Sequence, residues 1–471
     1  MAAAIIVVIV VYFGIRLPEI EKRPVHTDEA VNGYTIGKLL EGAPFRYDPK
    51  DYHGPSFIAL GMLVARAAGA RDLAGMDARI LRWSAVASGL LALAFVPLLA
   101  RVLGPTAAFG FALILCVDPL SVYFGRYAIH ETLFVSANLG FLACGLLAAQ
   151  TPAAGSALAA GGCAGLMLAT KETAVIPFAA AAAAALVCLP VRRLVNRWIA
   201  GAFFGAAAFV IVLAFTWGLQ SAGGLVDLAL AYPGYFVRAG GAGHEKPFYY
   251  YANVLFAGKS GLLLFALAVA AGVRAWRGGG SASARFLSVY AVLVAAAYSL
   301  IPYKTPWLAM GIWLPCALLA AIAVADWWRF QPAGAILCGV VLLGFLAADT
   351  VKLVFKDPIG ERNPYAYSHT LRDIERLPQA ISRLSASLGR SPRVAVVADD
   401  AWPLPWYLRS QPMVGYWRPG DPVPESDFVI LDVAEARRLE PRMAGWRPRI
   451  FGQRPEVVLI LYTAPNLEPD P

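Results

Sequence analysis

The sequence predicts an all-α polytopic membrane protein of about eleven transmembrane helices, followed by a small extracytoplasmic α/β domain. Hydrophobic residues make up 59% of its 471 residues and charged residues 15%, a balance outside the range of soluble globular proteins. The apolar residues come in runs of about 15 to 22 residues, the length that crosses a hydrocarbon core of roughly 30 Å. The end of the chain instead has short strand-like runs.

The apolar runs set the order of the spans. We place them at 2–16, 84–100, 106–122, 132–149, 156–170, 174–190, 198–218, 255–273, 286–302, 307–325 and 333–350. Residues 1–355 then form the transmembrane domain, and residues 356–471 form the C-terminal domain. The longest loops of the transmembrane domain are 18–82, with an interfacial helix at 28–41, and 219–254, whose Gly and Tyr content suits a mobile segment at the membrane surface.

The C-terminal domain has a simple predicted pattern. RVAVVAD (393–399), DFVILD (427–432) and EVVLILYT (456–463) are rich in β-branched residues and predict strands. AEARRLEPRM (434–443) predicts a helix that Pro441 should end or kink.

Basic residues predict the orientation. With the N-terminus in the cytoplasm, the short inside loops carry eight arginines against one acid, Asp326. These are Arg101, Arg192, Arg193, Arg197, Arg274, Arg277, Arg285 and Arg329. The net charge of +9 therefore belongs to membrane topology and does not indicate nucleic-acid binding. We expect a multi-pass protein of the cell membrane whose C-terminal domain and five histidines lie outside the cytoplasm.

The six cysteines exclude other classes of site. They lie in six different apolar runs and form no CxxC pair, so the sequence indicates neither a disulfide framework nor a zinc site.

The first polar cluster, HTDEAVNGY (26–34), follows the first span directly. One interpretation is structural: Thr27 caps a helix, and Asp28 and Glu29 complement the helix dipole in its first turn. The other is functional: a carboxylate at fixed depth takes a proton from an acceptor hydroxyl.

The second cluster, FGRYAIHETLF (124–134), separates two apolar runs. In a helix, Tyr127, His130 and Glu131 would share a face, with Arg126 one turn before His130. Arg126 could pair with the acid, or it could bind a phosphate bidentately.

The third and fourth clusters each place a lysine at a span end. Lys171 and Glu172 in LATKETAVIP (168–177) join two spans without a real loop. Tyr303 and Lys304 in SLIPYKTPWL (299–308) lie between prolines that hold the connection short. Charges so close to hydrocarbon are functional or mutually paired, unless the lysines merely snorkel to water.

A further patch, FRYDPKDYHGPSF (45–57), contains Asp48, Asp51 and His53. A substrate-facing loop and a structural turn built on Pro49 both fit it.

All these clusters are predicted on one membrane face, whereas the span centres are nearly free of charge. A transporter would be expected to place ionisable groups near the midplane and to show repeats. The pattern therefore favours chemistry at the membrane surface.

The motifs resemble a known family of membrane enzymes. The DE pair after the first span, the RYxxxE element at 126–131, GLxLxTKE at 165–172 and the late Lys between prolines resemble the GT-C superfamily of glycosyltransferases. The chain is similar to its protein O-mannosyltransferase and aminoarabinose-transferase group. The strings HTDEAVNGY, YDPKDYHGP, FGRYAIHE, ATKET and PYKTPWL resemble a prokaryotic branch associated with archaeal glycan-lipid flippase activity.

The resemblance implies an inverting glycosyltransferase that uses a sugar donor on polyprenyl or dolichyl phosphate. It maps the catalytic acid to Asp28, with Glu29 beside it, and the acid and arginine of the RYxxxE element to Glu131 and Arg126. Together with the polar clusters, this predicts catalysis by Asp28, Glu29 and Glu131 and substrate binding by a second set. That set is His53, Arg126, His130, Lys171, Glu172, Tyr303 and Lys304. The acceptor is a glycan, lipid or protein. No cofactor is implied, but the histidines beside both acids leave a divalent metal open. The alternative function is a flippase, or a flippase-associated subunit, for lipid-linked glycans.

The predicted orientation can be tested by cysteine labelling. A cysteine at position 400 should react with a membrane-impermeant maleimide in intact cells, and one at position 280 only after lysis. The parent protein, labelled in parallel, gives the background from its six native cysteines. The reverse pattern would place every candidate site residue on the cytoplasmic face.

Overall fold

The computed structural model describes residues 2–50, 53–190, 196–241 and 243–467. The α-helices within this part of the chain are α1 Ala2–Arg16, α2 Thr27–Leu40, α3 Ser56–Ala67, α4 Ala78–Ala94, α5 Val96–Leu103, α6 Pro105–Val117, α7 Pro119–Phe124, α8 Glu131–Gln150, α9 Ala154–Thr170, α10 Val175–Cys188, α11 Arg197–Phe215, α12 Gly223–Ala239, α13 Tyr250–Leu255, α14 Lys259–Arg274, α15 Ala282–Leu300, α16 Ala309–Trp328, α17 Pro332–Thr350, α18 Arg376–Leu384, α19 Leu404–Tyr407 and α20 Val433–Arg438. The strands are β1 Val394–Val397, β2 Val414–Trp417, β3 Phe428–Asp432, β4 Arg447–Arg454 and β5 Val457–Thr463.

Apolar helices dominate the fold, as predicted. Seven helical stretches of the described residues are long and apolar enough to cross a membrane. They are Ala78–Leu103, Glu131–Gln150, Arg197–Phe215, Lys259–Gly279, Ala282–Leu300, Pro306–Trp328 and Pro332–Lys356. The four remaining predicted spans coincide with shorter apolar helices: α1, α6, α9 and α10. Two of the arginines used for orientation, Arg192 and Arg193, lie outside the described residues. The orientation remains a prediction.

The predicted span 106–122 is in fact broken after Val117. Proline at 119 has no N–H to donate to the carbonyl of Leu115, so this buried acceptor needs another partner. Arg16, buried near the end of α1, donates to the carbonyl oxygens of Leu115 at 2.9 Å and Cys116 at 3.0 Å. Asp118 caps α7 by accepting from two backbone amides. A cation from the first helix therefore stabilises the break.

The predicted shared helical face of Tyr127, His130 and Glu131 is also wrong. Helix α7 ends at Phe124, and α8 begins only at Glu131. The carbonyl oxygen of Phe124, at the end of α7, accepts from the hydroxyl of Thr132 at 2.9 Å and from the N–H of Tyr127 at 3.1 Å, so it is satisfied beyond the helix. Arg126 and His130 thus lie in a buried, irregular connection between helices.

The chain forms two compact units. The helical unit comprises Met1–Pro18, Pro44–Leu60 and Arg82–Tyr367, and the sheet unit comprises Glu19–Ala43, Gly61–Leu81 and Ser368–Pro471. The sheet unit thus includes two segments of the first long loop. The predicted domain boundary at 355/356 stays a prediction, because compactness does not show which segments fold independently.

In the sheet unit, the described strands pair in the order β2-β1-β3-β5-β4. The first two pairings along this order, β2 with β1 and β1 with β3, are parallel; the other two are antiparallel. The three predicted strands correspond to β1, β3 and β5. Helix α20 ends at Arg438, before Pro441, as the sequence predicted. Strands β2 and β4 were not predicted.

Helix α2 packs within the sheet unit. A Cβ on Gly33 would lie 2.4 Å from the indole ring of Trp406, so only glycine fits there. The backbone N–H of Val25, just before α2, donates to the hydroxyl of Tyr407 at 2.7 Å. Residues 402–409 (WPLPWYLR) thereby position the start of the helix that carries Asp28 and Glu29.

Candidate functional site

A buried ion pair joins two elements of the helical unit. The ammonium of Lys171 donates to both carboxylate oxygens of Glu131, at 2.8 and 3.0 Å. Glu131 is the first residue of α8, where the helix dipole favours a negative charge. Lys171 follows α9 in extended backbone. Both side chains are buried, so this lysine does not snorkel to water.

Two histidines stack beside the ion pair. The rings of His53 and His130 lie 4.4 Å apart between centroids, and Phe57 packs on His130 at 5.0 Å. Burial, with the nearby charge of Lys171, lowers the pKa of His130 to about 3. Burial, together with His130 and Lys171, also lowers the pKa of His53. Both imidazoles are therefore neutral at pH 7.

Close backbone packing fixes the position of His53. The N–H of Gly54 donates to the carbonyl of Thr170 at 3.0 Å. A Cβ on Gly54 would come within 2.1 Å of the carbonyl oxygen of Ala169, so the approach requires glycine. The hydroxyl of Ser56 also lies 2.7 Å from that of Thr170. The 53–56 segment is thus attached to the end of α9, next to Lys171.

A second carboxylate is held by two tyrosines. The hydroxyl of Tyr235 donates to Oε2 of Glu172 at 2.5 Å, and the hydroxyl of Tyr47 donates to Oε1. Burial and the charge of Glu172 raise the pKa of both tyrosines. Glu172 is 1% exposed, so these bonds replace the water that a carboxylate needs.

Lys304 is a buried cation of the helical unit. It is 1% exposed, and its ammonium donates to the carbonyl oxygens of Ile301 at 2.5 Å and Lys246 at 3.3 Å. No carboxylate of the described residues lies within ion-pair distance of it. Burial lowers the pKa of Lys304. A buried ammonium that has only neutral acceptors is costly, and an anionic ligand would compensate for that cost.

The loop before α13 forms the wall of this lysine site. Residues 244–246 pair with 302–304: the N–H of Lys304 donates to the carbonyl of His244 at 3.1 Å, and that of Lys246 to the carbonyl of Pro302 at 3.2 Å. The imidazole of His244 hydrogen-bonds the hydroxyl of Tyr367 and lies 4.9 Å from the ring of Tyr303.

Arg126 has a different environment. Its Nη2 donates to the carbonyl of Pro18 at 2.6 Å, and its guanidinium carbon lies 4.6 Å from the centre of the Phe355 ring. Both oxygens of Glu131 accept from Lys171, so the expected partner of Arg126 is served by another cation.

In the sheet unit, the two adjacent acids differ. Glu29 is fully buried; its Oε2 accepts from the N–H of His26 at 3.1 Å, and its Oε1 lies 3.8 Å from Nη2 of Arg23. His26, rather than the expected Thr27, is the N-cap residue. The half-buried side chain of Asp28 makes no hydrogen bond or ion pair with another described residue. Glu29 is therefore held by contacts of the fold, whereas Asp28 has no such contact among the described residues.

The remaining predictions concern the aspartate patch and a metal. Oδ1 of Asp48 accepts from the N–H of Lys50 at 2.8 Å, which favours the structural turn; Asp51 lies outside the described residues. Within the described part of the chain, no group of three His, Cys, Asp or Glu side chains could hold a metal ion. The structure therefore names no ligand set for a divalent ion.

Tyr47, Tyr235 and Lys246 are polar residues of the site that were not predicted. Tyr47 and Lys246 lie outside the helices and Tyr235 lies in α12, and all three lie outside the four motifs, on residue types that are common at membrane surfaces. The signal that could have found Tyr47 is its position inside the FRYDPKDYHGPSF patch. The other two could not be distinguished from their Tyr- and Lys-containing surroundings.

Solved structures share this fold. ArnT from Cupriavidus metallidurans, bound to undecaprenyl phosphate, matches 100% of this chain and 99% of its own, with 14% identity and a TM-score of 0.67. The archaeal oligosaccharyltransferase AglB from Archaeoglobus fulgidus was solved in complex with an inhibitory peptide and a dolichol-phosphate. It matches 96% of this chain and 74% of its own, with 13% identity and a TM-score of 0.63. The arabinofuranosyltransferase AftD from Mycobacteria matches 98% of this chain and 40% of its own, with 16% identity and a TM-score of 0.50.

These matches define the class of the fold as a polytopic membrane protein with a small sheet-containing unit. All three solved structures are GT-C glycosyltransferases, and the chain has the GT-C fold that its motifs predicted. No protein-family model matches the sequence, and no curated protein matches it. At 13 to 16% identity, the structures establish the fold but not the substrate.

The stacked histidines predict acid lability. In the unfolded chain His130 takes up a proton below its ordinary pKa of 6.5, whereas in the fold it stays neutral down to about pH 3. The free energy of unfolding should therefore fall as the pH drops below 6.5, by on the order of 2 kcal/mol at pH 5. Thermal unfolding in detergent at pH 7.5 and pH 5 measures this loss.

The variant His130→Phe should lose less stability over the same pH interval, because phenylalanine keeps the contacts with His53 and Phe57 and cannot take up a proton. Equal acid sensitivity of parent and variant would show that His130 is not the titrating group.

Proposed function

We propose that this protein is an inverting glycosyltransferase that moves a sugar from a polyprenyl- or dolichyl-phosphate donor to an acceptor at the extracytoplasmic membrane face. Its fold is that of enzymes whose structures contain undecaprenyl phosphate or a dolichol-phosphate. The observation that carries the proposal is the buried ammonium of Lys304, which has only neutral acceptors among the described residues.

The donor phosphate is assigned to the lysine site of the helical unit. A phosphate oxygen accepts a charge-assisted hydrogen bond from Lys304, which relieves the cost of burying that ammonium. Lys246 provides a second positive charge in the same wall, 5.9 Å from the ring of Tyr367. As the bond between the anomeric carbon and the phosphate oxygen breaks, these cations stabilise the negative charge that develops on the leaving group.

The base is assigned to Asp28. Its carboxylate takes the proton of an acceptor hydroxyl while the hydroxyl oxygen forms a bond to the anomeric carbon. The electrons of the broken bond leave with the lipid phosphate. Attack from the face opposite to this leaving group inverts the anomeric configuration. Glu29, proposed earlier as a second catalytic acid, is occupied by its bonds to His26 and Arg23.

Lys171, Glu131 and Arg126 receive supporting roles. Because Glu131 neutralises Lys171, this lysine contributes less charge to a donor phosphate than the sequence suggested. Its ammonium keeps a third N–H for a sugar or phosphate oxygen. Glu172, held by Tyr47 and Tyr235, offers carboxylate oxygens to sugar hydroxyls, and the neutral imidazoles of His53 and His130 offer uncharged donors and acceptors. Arg126 is proposed to bind substrate from its position beside Pro18 and Phe355.

The two acids of the DE pair should separate function from stability. Asp28→Asn should reduce kcat by about 10²- to 10⁴-fold, the typical contribution of general-base catalysis, and leave the melting temperature nearly unchanged. Glu29→Gln should instead lower the free energy of unfolding by about 1–3 kcal/mol, because it weakens a buried, charge-assisted bond. Kinetics with a polyprenyl-phosphate sugar and thermal unfolding in detergent measure both effects. Normal turnover by Asp28→Asn would remove the proposed base.

Replacement of the buried Lys304 should weaken ligand binding without loss of stability. Lys304→Gln should weaken the binding of a polyprenyl phosphate by about 10- to 150-fold, the equivalent of 1.5–3 kcal/mol. It should not lower the melting temperature, because it also removes an unpaired buried charge. Lys22→Gln is the matched control, since Lys22 is exposed and paired with Glu19. Binding within twofold of the parent would show that Lys304 does not bind phosphate.

A further inference from the structure

Helix α12 has an exposed, apolar outer face. Leu230, Phe236 and Val237 are 61%, 78% and 80% exposed, and Val226 is 62% exposed. These side chains project from the surface of the helical unit without covering one another. A soluble protein rarely leaves so large a contiguous apolar patch uncovered.

The inner face of the same helix carries polar contacts beside apolar ones: Ala231 and Leu228 pack in a hydrophobic cluster with Phe215. Asp227 is buried, and its Oδ2 lies 3.5 Å from Nε of Arg46. Two turns later, Tyr235 donates to Glu172 at 2.5 Å, and Arg238 lies 5.9 Å from the Tyr235 ring. Positions 224, 227, 228, 231, 232, 235, 238 and 239 are the less exposed ones, and their spacing matches one side of an α-helix. The polar contacts of the helix therefore lie on the side turned toward the protein, and its outer side is apolar.

The apolar face continues a surface that already faces lipid. The preceding helix, α11, is a candidate span of which only 6% is buried. Phe204 and Phe209 on this helix are 68% and 65% exposed. Helix α12 packs directly against the end of α11: a Cβ on Gly224 would come within 1.9 Å of the carbonyl oxygen of Phe215.

We propose that α12 is a membrane-embedded lid over the Glu172 cluster. Its outer apolar face lies in the hydrocarbon of the bilayer, and its inner face closes on the cluster through the bond from Tyr235 to Glu172. The sequence-based expectation of a loose surface loop at 219–254 is replaced over 223–239 by a helix with a defined lipid-facing side.

The lid also has a place in the proposed function, on which this step rests. Glu172 is adjacent in sequence to Lys171, which is bonded to Glu131. A lipid-linked substrate that arrives from the bilayer meets the apolar side of α12 before it reaches this lysine. Loss of the Tyr235 bond would remove one contact between the helix and the Glu172 cluster.

Spin labels on α12 test where its apolar face lies, without any need for turnover. Single cysteines at Phe236 and Val237 carry a nitroxide in protein reconstituted into phosphatidylcholine vesicles. A label at Phe204 on α11 is the lipid reference, and one at the exposed Arg437 of α20 is the aqueous reference. The parent protein, treated with the same reagent, corrects for its native cysteines. Collision with oxygen reports hydrocarbon, and collision with a water-soluble nickel chelate reports water.

Labels at 236 and 237 should be relaxed by oxygen and shielded from nickel, as at 204, whereas a label at 437 should show the reverse. Nickel access at 236 and 237 equal to that at 437 would overturn the proposal. Shielding from both reagents with spin–spin broadening would assign the face to a second copy of the chain, and would also overturn it.

The bond from Tyr235 to Glu172 is tested on the same labelled protein. Tyr235→Phe removes only the hydroxyl that bonds Glu172, and should increase the mobility of the label at 237. Tyr232→Phe, one turn earlier on the same helix, removes a hydroxyl for which no bond to Glu172 is present among the described residues, and should leave the mobility unchanged. Equal mobility in both variants and the parent would show that the bond does not hold the helix. Either result leaves the proposed glycosyltransferase activity to its own tests.

Discussion

The ion pair between Lys171 and Glu131 is the contact on which the arrangement of the helical unit depends. It joins the end of α9 to the start of α8, and both charges are buried. Removal of either partner would leave a charge in a medium where it costs several kcal/mol. The neighbours confirm how tightly this point is built: Gly54 lies against the backbone of Ala169, and His53 stacks on His130. The end of α9 and the start of α8 are therefore held together. This contact sets the positions of the polar residues around them.

The same rule, that each buried charge has a partner, sorts the candidate residues by role. Glu131 has Lys171, Glu172 has two tyrosine hydroxyls, and Glu29 has the N–H of His26 and Arg23. Arg16 is occupied by carbonyl oxygens that Pro119 leaves without a donor. Lys304 in the helical unit has no carboxylate within ion-pair distance among the described residues, and the half-buried Asp28 in the sheet unit makes no hydrogen bond or ion pair there. In the proposed function these two groups serve the donor phosphate and the acceptor hydroxyl.

The sequence predicted those features that depend on local pattern. Apolar run length located the helices, and β-branched runs located β1, β3 and β5. Motif spacing located Glu131, Lys171 and Lys304 at helix ends. Strands β2 and β4 were missed because VGYW and RPRIFGQR carry aromatic, charged and proline residues that give no clear alternation. The break at Asp118 was missed because the apolar run continues through it.

Pairing could not be predicted, because it depends on tertiary contacts between distant segments. Nothing in the spacing shows that Glu131 belongs to Lys171 rather than to Arg126, five residues before it. The two tyrosines on Glu172 come from positions 125 and 63 residues away. The difference between Asp28 and Glu29 likewise arises from the burial of one side of α2. These contacts occupy Glu131, Glu172 and Glu29, whereas Asp28 has no such contact among the described residues.

The most direct measurement of the central claim is turnover in detergent micelles, where no membrane sidedness remains. The purified protein would be given polyprenyl-phosphate-linked pentoses and hexoses, with a glycan and lipid extract of its source membranes as acceptor. The account predicts release of polyprenyl phosphate in equal amount to transferred sugar, with inverted anomeric configuration in the product. Intact donors in micelles, together with movement of the same lipids across sealed vesicles, would contradict it and favour a flippase.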